Sequence, residues 1–200
     1  MALAGRPLLA ESLQRLDGCD WVDAVVVVAP PGWEEPAILL TEELVLSKVA
    51  AVVTGGATRA ESVRAGLAEV AAGAVAILVH DAARPLIDDA IIERVLVPLS
   101  EGWDGVVPAL PLADTVKRVA AGRVTDTLDR SDLVAVQTPQ AFAAATIHAA
   151  YRGDVAGATD CASLVERSGA RVRVVAGDRR LLKVTTGDDL AQVEAWLAAG

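Results

Sequence analysis

Short apolar runs alternate along the chain with longer stretches in which apolar residues recur at helical spacing. Seven runs are rich in small and β-branched side chains: AVVVVA (24–29), AAVVT (50–54), VAILVH (75–80), GVVPAL (105–110), VAVQT (134–138), VRVVA (172–176) and LLKVT (181–185). Most are continuous rather than alternating, which predicts strands buried on both faces, as in a parallel sheet covered by helices. Leu9, Leu13 and Leu16 recur at i, i+4 and i+7, as do Val63, Leu67 and Val70; Ile91, Val95 and Leu99 form a third set behind the candidate caps Asp88 and Asp89. Segments 140–150, 160–168 and 188–198 also read as helices. Alternating strands and helices predict an α/β fold, a mostly parallel sheet with helices on both faces, in one domain over residues 1–200.

One segment breaks the rhythm. Residues 114–128, DTVKRVAAGRVTDTL, hold two alternating runs around Ala120-Ala121-Gly122 and predict a β-hairpin. Inside an α/β domain such a hairpin projects as an arm, here bounded at 109–137.

Composition narrows the function. A chain of 200 residues that is 53% hydrophobic can bury one sizeable core. A formal charge of −9 argues against general nucleic-acid binding, which needs a basic footprint. It leaves room for a small anionic substrate served by a few local arginines. Cys19 and Cys161 lie far apart with no ligand-like spacing, so both read as free thiols in a reducing compartment. The N-terminal residues lack the order of a signal peptide, and the apolar runs fall far short of the ~18 residues of a membrane span. The expected location is the cytoplasm.

In open α/β sheets, ligands bind beyond the carboxyl ends of the strands, and the notable polar residues follow strand ends here. Gly55-Gly56-Ala57-Thr58-Arg59 opens a helix; its glycines either let a ligand approach the backbone or make a tight turn and nothing more. Asp81 and Arg84 flank two alanines that leave room against the main chain. Asp81 suits hydroxyl donors or a divalent cation, and Arg84 suits phosphate. The alternative is an internal ion pair. Lys183 is a cation in an apolar run, either aimed at a phosphoryl group or on an edge strand with its amine in water. Taken singly, Thr138-Pro139-Gln140 and Thr159-Asp160 look like helix starts, Arg130 like a surface arginine, and His80 like a satisfied strand-end histidine. No Ser/His/Asp set suggests acyl transfer.

In order, GGATRAESV (55–63), VHDAARP (79–85), DTVKR (114–118), DR (129–130), TPQAF (138–142), TD (159–160) and KVTTGDDL (183–190) resemble the 2-C-methyl-D-erythritol 4-phosphate cytidylyltransferase family. The resemblance runs from about residue 3 to the C-terminus. It implies a Rossmann-like nucleotidyltransferase fold and a reaction in the non-mevalonate isoprenoid pathway. There the 4-phosphate of methylerythritol phosphate attacks the α-phosphorus of CTP and displaces pyrophosphate, with Mg²⁺ as cofactor. Carried over, Gly55, Gly56, Ser62 and Ala82 bind the nucleotide. Asp81, Arg84, Thr115, Arg130, Thr138, Thr159 and Lys183 bind the sugar phosphate. Lys183 and Arg84 are the catalytic cations, and Asp81 is the candidate metal ligand. The resemblance further implies a homodimer in which the 109–137 arm carries Thr115 and Arg130 into the partner's site. Ribitol 5-phosphate cytidylyltransferases share several of these motifs, so that sugar alcohol stays open as an alternative.

The family opens with a strand and a glycine-rich loop of the type A-A-G-x-G-x-R-M, which cradles the nucleotide phosphates, and this sequence has neither. Roughly 25–30 residues of the pattern are absent before Met1. The expectation is a natural start further upstream, with the present chain inactive alone. The alternatives are a catalytically dead sugar-phosphate-binding or dimerisation module, and an enzyme that completes its nucleotide site from another chain. Without that strand, AVVVVA and VAILVH are expected to face each other unpaired. Ala57 stands where some relatives have an acid, and Cys161 where many have Glu.

Overall fold

Residues 2–199 are described by the structure, a computed structural model. Two short strands, β1 (Ala2–Leu3) and β2 (Arg6–Pro7), pair antiparallel and lead into α1 (Leu8–Gly18). Strand β3 (Val25–Ala29), helix α2 (Glu34–Glu43) and strand β4 (Val49–Thr54) form a β–α–β unit, with β3 and β4 parallel. Then follow α3 (Arg59–Ala68), β5 (Ala76–Val79), α4 (Asp89–Ser100), β6 (Gly105–Pro111), the hairpin strands β7 (Val116–Ala120) and β8 (Arg123–Leu128), and β9 (Val134–Val136). The chain ends with β10 (Gln140–Ala143), α5 (Ala144–Tyr151), α6 (Cys161–Arg167), β11 (Val172–Ala176) and α7 (Gly187–Ala198).

The central sheet runs β11-β6-β10-β5, with β9 pairing the far end of β6. Strand β11 is parallel to β6, while β10 lies antiparallel between β6 and β5. Strands β5, β6 and β11 therefore point the same way, and their carboxyl ends share one rim. The α/β, Rossmann-like reading holds, with β9 and β10 as the strands that run against the others. Among the described residues β3 pairs with β4 and not with β5, so AVVVVA and VAILVH are unpaired with each other and the β3–β4 pair is a sheet separate from the central one.

Two expectations need correction. Gln140–Ala143 is a strand, not the start of a helix. Its Ala-rich context imitates a helix, but Ala141 and Phe142 are fully buried between neighbouring strands, and the helix starts only at Ala144. Residues 181–185 form no strand. Leu181 closes a 3₁₀ turn over Arg179–Leu181, and the following residues attach to the sheet rim through Val184 N–H to Ala83 C=O at 2.8 Å. Helix α2 is an addition, since its segment shows no clear apolar period; Pro36 sits in its first turn, where a missing N–H costs nothing.

The caps follow the sequence. Thr58 and Glu61 make a capping box on α3, Thr186 and Asp189 make one on α7, and Asp88 and Asp160 cap α4 and α6. The core lies on both faces of the sheet: Phe142, Ile147, Leu164 and Val165 on one side, Ile87, Ile91, Ile92 and Leu181 on another. The hairpin turns at Ala121 and Gly122, both at positive φ, the backbone that a two-residue hairpin loop needs. Its strands occupy 116–128, inside the 109–137 segment; residues 109–111 belong to β6, and β9 runs back along them.

Candidate active site

Beyond the end of β5 the chain makes a turn, Asp81-Ala82-Ala83-Arg84, closed by Arg84 N–H to Asp81 C=O at 2.9 Å. Other elements bind it in place. Ser12 Oγ of α1 donates to Ala82 C=O at 3.3 Å, and Val184 N–H donates to Ala83 C=O. Arg84 Nη1 donates to Leu181 C=O at 2.5 Å. The Ala82 and Ala83 amides find no protein acceptor among the described residues, and Ala82 is exposed. The two small side chains thus leave main-chain donors open to a ligand.

Three cations converge on one carboxylate. Lys183 Nζ lies 2.9 Å from Asp81 Oδ2. Arg59 Nε and Nη2 each lie 3.4 Å from Asp81 Oδ1, and Arg84 Nε stands 3.9 Å from Oδ2. Burial alone would raise the Asp81 carboxyl, but the Lys183 hydrogen bond and the charges of Arg59, Lys183 and Arg84 outweigh it and hold it below its ordinary value. The cluster keeps two positive charges in surplus on a chain of net charge −9. Among the described residues Arg84 Nε is buried without a hydrogen-bond partner, a cost that an arriving oxyanion would remove. Side-chain exposure of 45% for Lys183 and 33% for Arg59 leaves both able to turn toward a ligand.

The same geometry does not fit a resident Mg²⁺. A hard cation wants several oxygen ligands, whereas both Asp81 oxygens face cationic side chains. No group of three His, Cys, Asp or Glu side chains converges among the described residues.

The remaining candidates divide by place. Thr138 is 4% exposed, and its hydroxyl is already engaged, accepting from Asp81 N–H at 3.0 Å and meeting His80 Nδ1 at 3.1 Å. These contacts tie it to the Asp81–Arg84 loop. Gly55 and Gly56 are required by packing: a Cβ on Gly56 would fall 2.3 Å from Glu61 Cβ, and one on Gly55 2.8 Å from Ser62 Oγ. Ser62 Oγ accepts from Gly56 N–H at 3.1 Å and donates to Thr58 C=O at 2.9 Å, so it shapes this loop. Thr159 is exposed beside the α6 cap; its neighbour-but-one Cys161 touches Arg59 Nη1 through Sγ at 3.4 Å. Among the described residues neither Thr115 nor Arg130 bonds to Asp81. Arg130 bonds the Leu112 and Ala113 carbonyls at the hairpin root, and Thr115 is exposed nearby. Cys19 and Cys161 are both free and buried; burial raises the Cys161 thiol, so it is neutral.

Arg59 is the site residue that the sequence reading passed over. A cation at the first position of a helix opposes the helix dipole, and that misplacement was the available signal.

The whole described chain has close counterparts among known proteins. The family model described as IspD, 2-C-methyl-D-erythritol 4-phosphate cytidylyltransferase, matches residues 1–199. A 2-C-methyl-D-erythritol 4-phosphate cytidylyltransferase of Nocardia farcinica is 49% identical over 98% of this chain and 83% of its own. A crystal structure of 4-diphosphocytidyl-2C-methyl-D-erythritol synthase superposes with a TM-score of 0.87 at 35% identity, covering 98% of this chain and 92% of that one. The 2-C-methyl-D-erythritol 4-phosphate cytidylyltransferase of Thermus thermophilus superposes with a TM-score of 0.83 at 31% identity, over 98% and 91%.

Proposed function

The chain belongs to the 2-C-methyl-D-erythritol 4-phosphate cytidylyltransferase family, and from that premise we propose that the cations gathered on Asp81 receive the phosphate of the sugar alcohol as it attacks CTP. The enzyme is a nucleotidyltransferase of isoprenoid biosynthesis. An oxygen of the 4-phosphate bonds to the α-phosphorus of CTP, the bond from that phosphorus to the bridging oxygen breaks, and pyrophosphate leaves. The organic product is 4-diphosphocytidyl-2-C-methyl-D-erythritol. No protein nucleophile takes part, so rate comes from positioning and from charge stabilisation.

The surplus of cations over carboxylate is the observation that carries this reading. In the free protein Asp81 occupies Arg59, Arg84 and Lys183. A phosphate draws the cations to itself and gives Arg84 Nε the partner it lacks. Asp81 is then free to accept from hydroxyls of the sugar alcohol. Lys183 and Arg84 offset the charge that grows on the phosphoryl oxygens in the transition state. The Ala82 and Ala83 amides and the loop of Gly55, Gly56 and Ser62 frame the nucleotide. A divalent cation would be held by the substrate phosphates, since no group of three His, Cys, Asp or Glu side chains converges among the described residues to hold it.

A second copy of the chain completes the site. Val119 and Val124 face each other across the hairpin and stand 57% and 60% exposed, an apolar pair with no cover in one protomer. A twin clasping this arm buries them and brings Thr115 and Arg130 toward its own sugar-phosphate site. No helix among the described residues is long and apolar enough to cross a membrane, and the two free thiols accord with the cytoplasm.

Calorimetric titration with methylerythritol phosphate, with ribitol 5-phosphate as comparator, tests the substrate. Tighter binding of methylerythritol phosphate is expected, and equal or reversed preference contradicts it. Pyrophosphate release from CTP that depends on methylerythritol phosphate tests the transfer. Release near background is expected from this chain alone, and robust release would overturn that expectation.

A further inference from the structure

One side chain that the reaction does not use touches both ends of the Asp81–Arg84 turn. His80 Nε2 lies 3.0 Å from Arg84 C=O, and His80 Nδ1 lies 3.1 Å from Thr138 Oγ1. Thr138 Oγ1 in turn accepts from Asp81 N–H at 3.0 Å. One arrangement of protons satisfies all three contacts. Asp81 N–H donates to Thr138 Oγ1, the Thr138 hydroxyl donates to Nδ1, and Nε2–H donates to the Arg84 carbonyl. We propose that His80 is a positioning residue: its two ring nitrogens fix the two ends of the turn, so that Arg84 faces the substrate phosphate and Asp81 the substrate hydroxyls at a set separation.

The reason lies in the sheet. The β5–β10 register pairs Gln140 with Val79, so its continuation would set Pro139 against His80 and then Thr138 against Asp81. Pro139 lies between and has no N–H to give, so the backbone ladder stops there. The Thr138 side chain supplies the acceptor that the ladder no longer offers. His80 then passes the constraint across the turn to Arg84. A neutral ring is needed, and burial pushes the His80 imidazolium down to about 4, so the ring is neutral at pH 7. With Nδ1 accepting and Nε2 donating, no ring nitrogen is free to act as a base. Arg84 gains most from this tie: its Nη1 is held by Leu181 C=O and its Nε is unpartnered, so the main chain decides where the guanidinium points.

This inference rests on the substrate reading above, and its test separates the two. Methylerythritol phosphate is titrated calorimetrically into the full chain and four variants. His80→Phe keeps a ring and removes both nitrogens; binding at least tenfold weaker is expected from its folded fraction, with far-UV circular dichroism unchanged. Thr138→Val should weaken binding similarly, and Thr138→Ser should restore it. Arg84→Ala is the control. Loss of binding in Arg84→Ala with wild-type affinity in His80→Phe would overturn the role of His80. Wild-type affinity in Arg84→Ala would instead overturn the phosphate site itself. Should His80→Phe not fold, ¹⁵N chemical shifts of the wild-type ring at pH 7 decide. An Nε2–H tautomer with an accepting Nδ1 is expected, and an Nδ1–H tautomer or averaging of the two contradicts the proposal.

Discussion

Lys183 Nζ stands 2.9 Å from Asp81 Oδ2 although 102 positions of sequence separate the two residues. The contact exists because two short segments dock: Leu181 C=O receives Arg84 Nη1, and Val184 N–H reaches Ala83 C=O. Lys183 lies between those two ties and is carried to the carboxylate by them. Asp189 reinforces the arrangement from α7, accepting from Thr185 N–H and Oγ1 and from Thr186 N–H, and these bonds hold its carboxyl down at about 2.

Replacing Lys183 by Ala should therefore weaken methylerythritol phosphate binding about tenfold or more. A charge-assisted hydrogen bond is worth roughly 1.5–3 kcal/mol, and tenfold corresponds to about 1.4 kcal/mol. Calorimetry on wild type and Lys183→Ala checks this; the fold should persist, because Lys183 is partly exposed and its segment is held by main-chain bonds.

The pH dependence has a defined sign. The folded His80 titrates at about 4, below the ordinary value near 6.5, so the unfolded chain binds more protons between those values. Stability from this group is complete above about pH 6.5 and drains away as pH falls toward 4, by up to about 3 kcal/mol. Asp81, depressed by its cations, adds a second loss as pH falls below about 4. Thermal unfolding between pH 7 and 4 should show a falling midpoint in wild type. His80→Gln should flatten that slope, and an equally steep slope in it would remove His80 as the source.

Gly56→Ala should destabilise the protein by about 1–3 kcal/mol, because the new methyl group meets Glu61 Cβ and breaks the capping box at the start of α3. Chemical denaturation measures it. The same change should weaken CTP binding, since the loop and α3 move together.

Charging the hairpin should separate the protomers. Val119→Asp combined with Val124→Asp places two like charges opposite each other on the face expected to meet a twin. Sedimentation velocity should find a dimer for wild type and a monomer for the double variant, with unchanged helix content. A monomeric wild type would end the shared-site account.

Much of the fold was readable from the sequence because its strands are β-branched and its helices are capped by Thr58, Asp88, Asp160 and Thr186. The hairpin was readable because Ala121-Gly122 separates two alternating runs. What escaped was context. QAFA is Ala-rich and looks helical, and only the slot between β5 and β6 makes it a strand. LLKVT looks like a strand, and only its docking on the Asp81–Arg84 turn keeps it irregular. Asp81, Arg84 and Lys183 were readable as a charged set at strand ends, but a linear pattern does not show that a helix from elsewhere adds Arg59. Thr138 illustrates the converse: a hydroxyl beside a proline looks available, and its burial against His80 and Asp81 emerges only in three dimensions.

The central claim is that Arg59, Arg84 and Lys183 exchange Asp81 for the substrate phosphate. A crystal structure of the protein with methylerythritol phosphate tests it most directly. The account predicts the phosphate among the three cations, Arg84 Nε hydrogen-bonded to one of its oxygens, and Asp81 turned to the hydroxyls. A phosphate bound elsewhere, with the three cations still on Asp81, would contradict it.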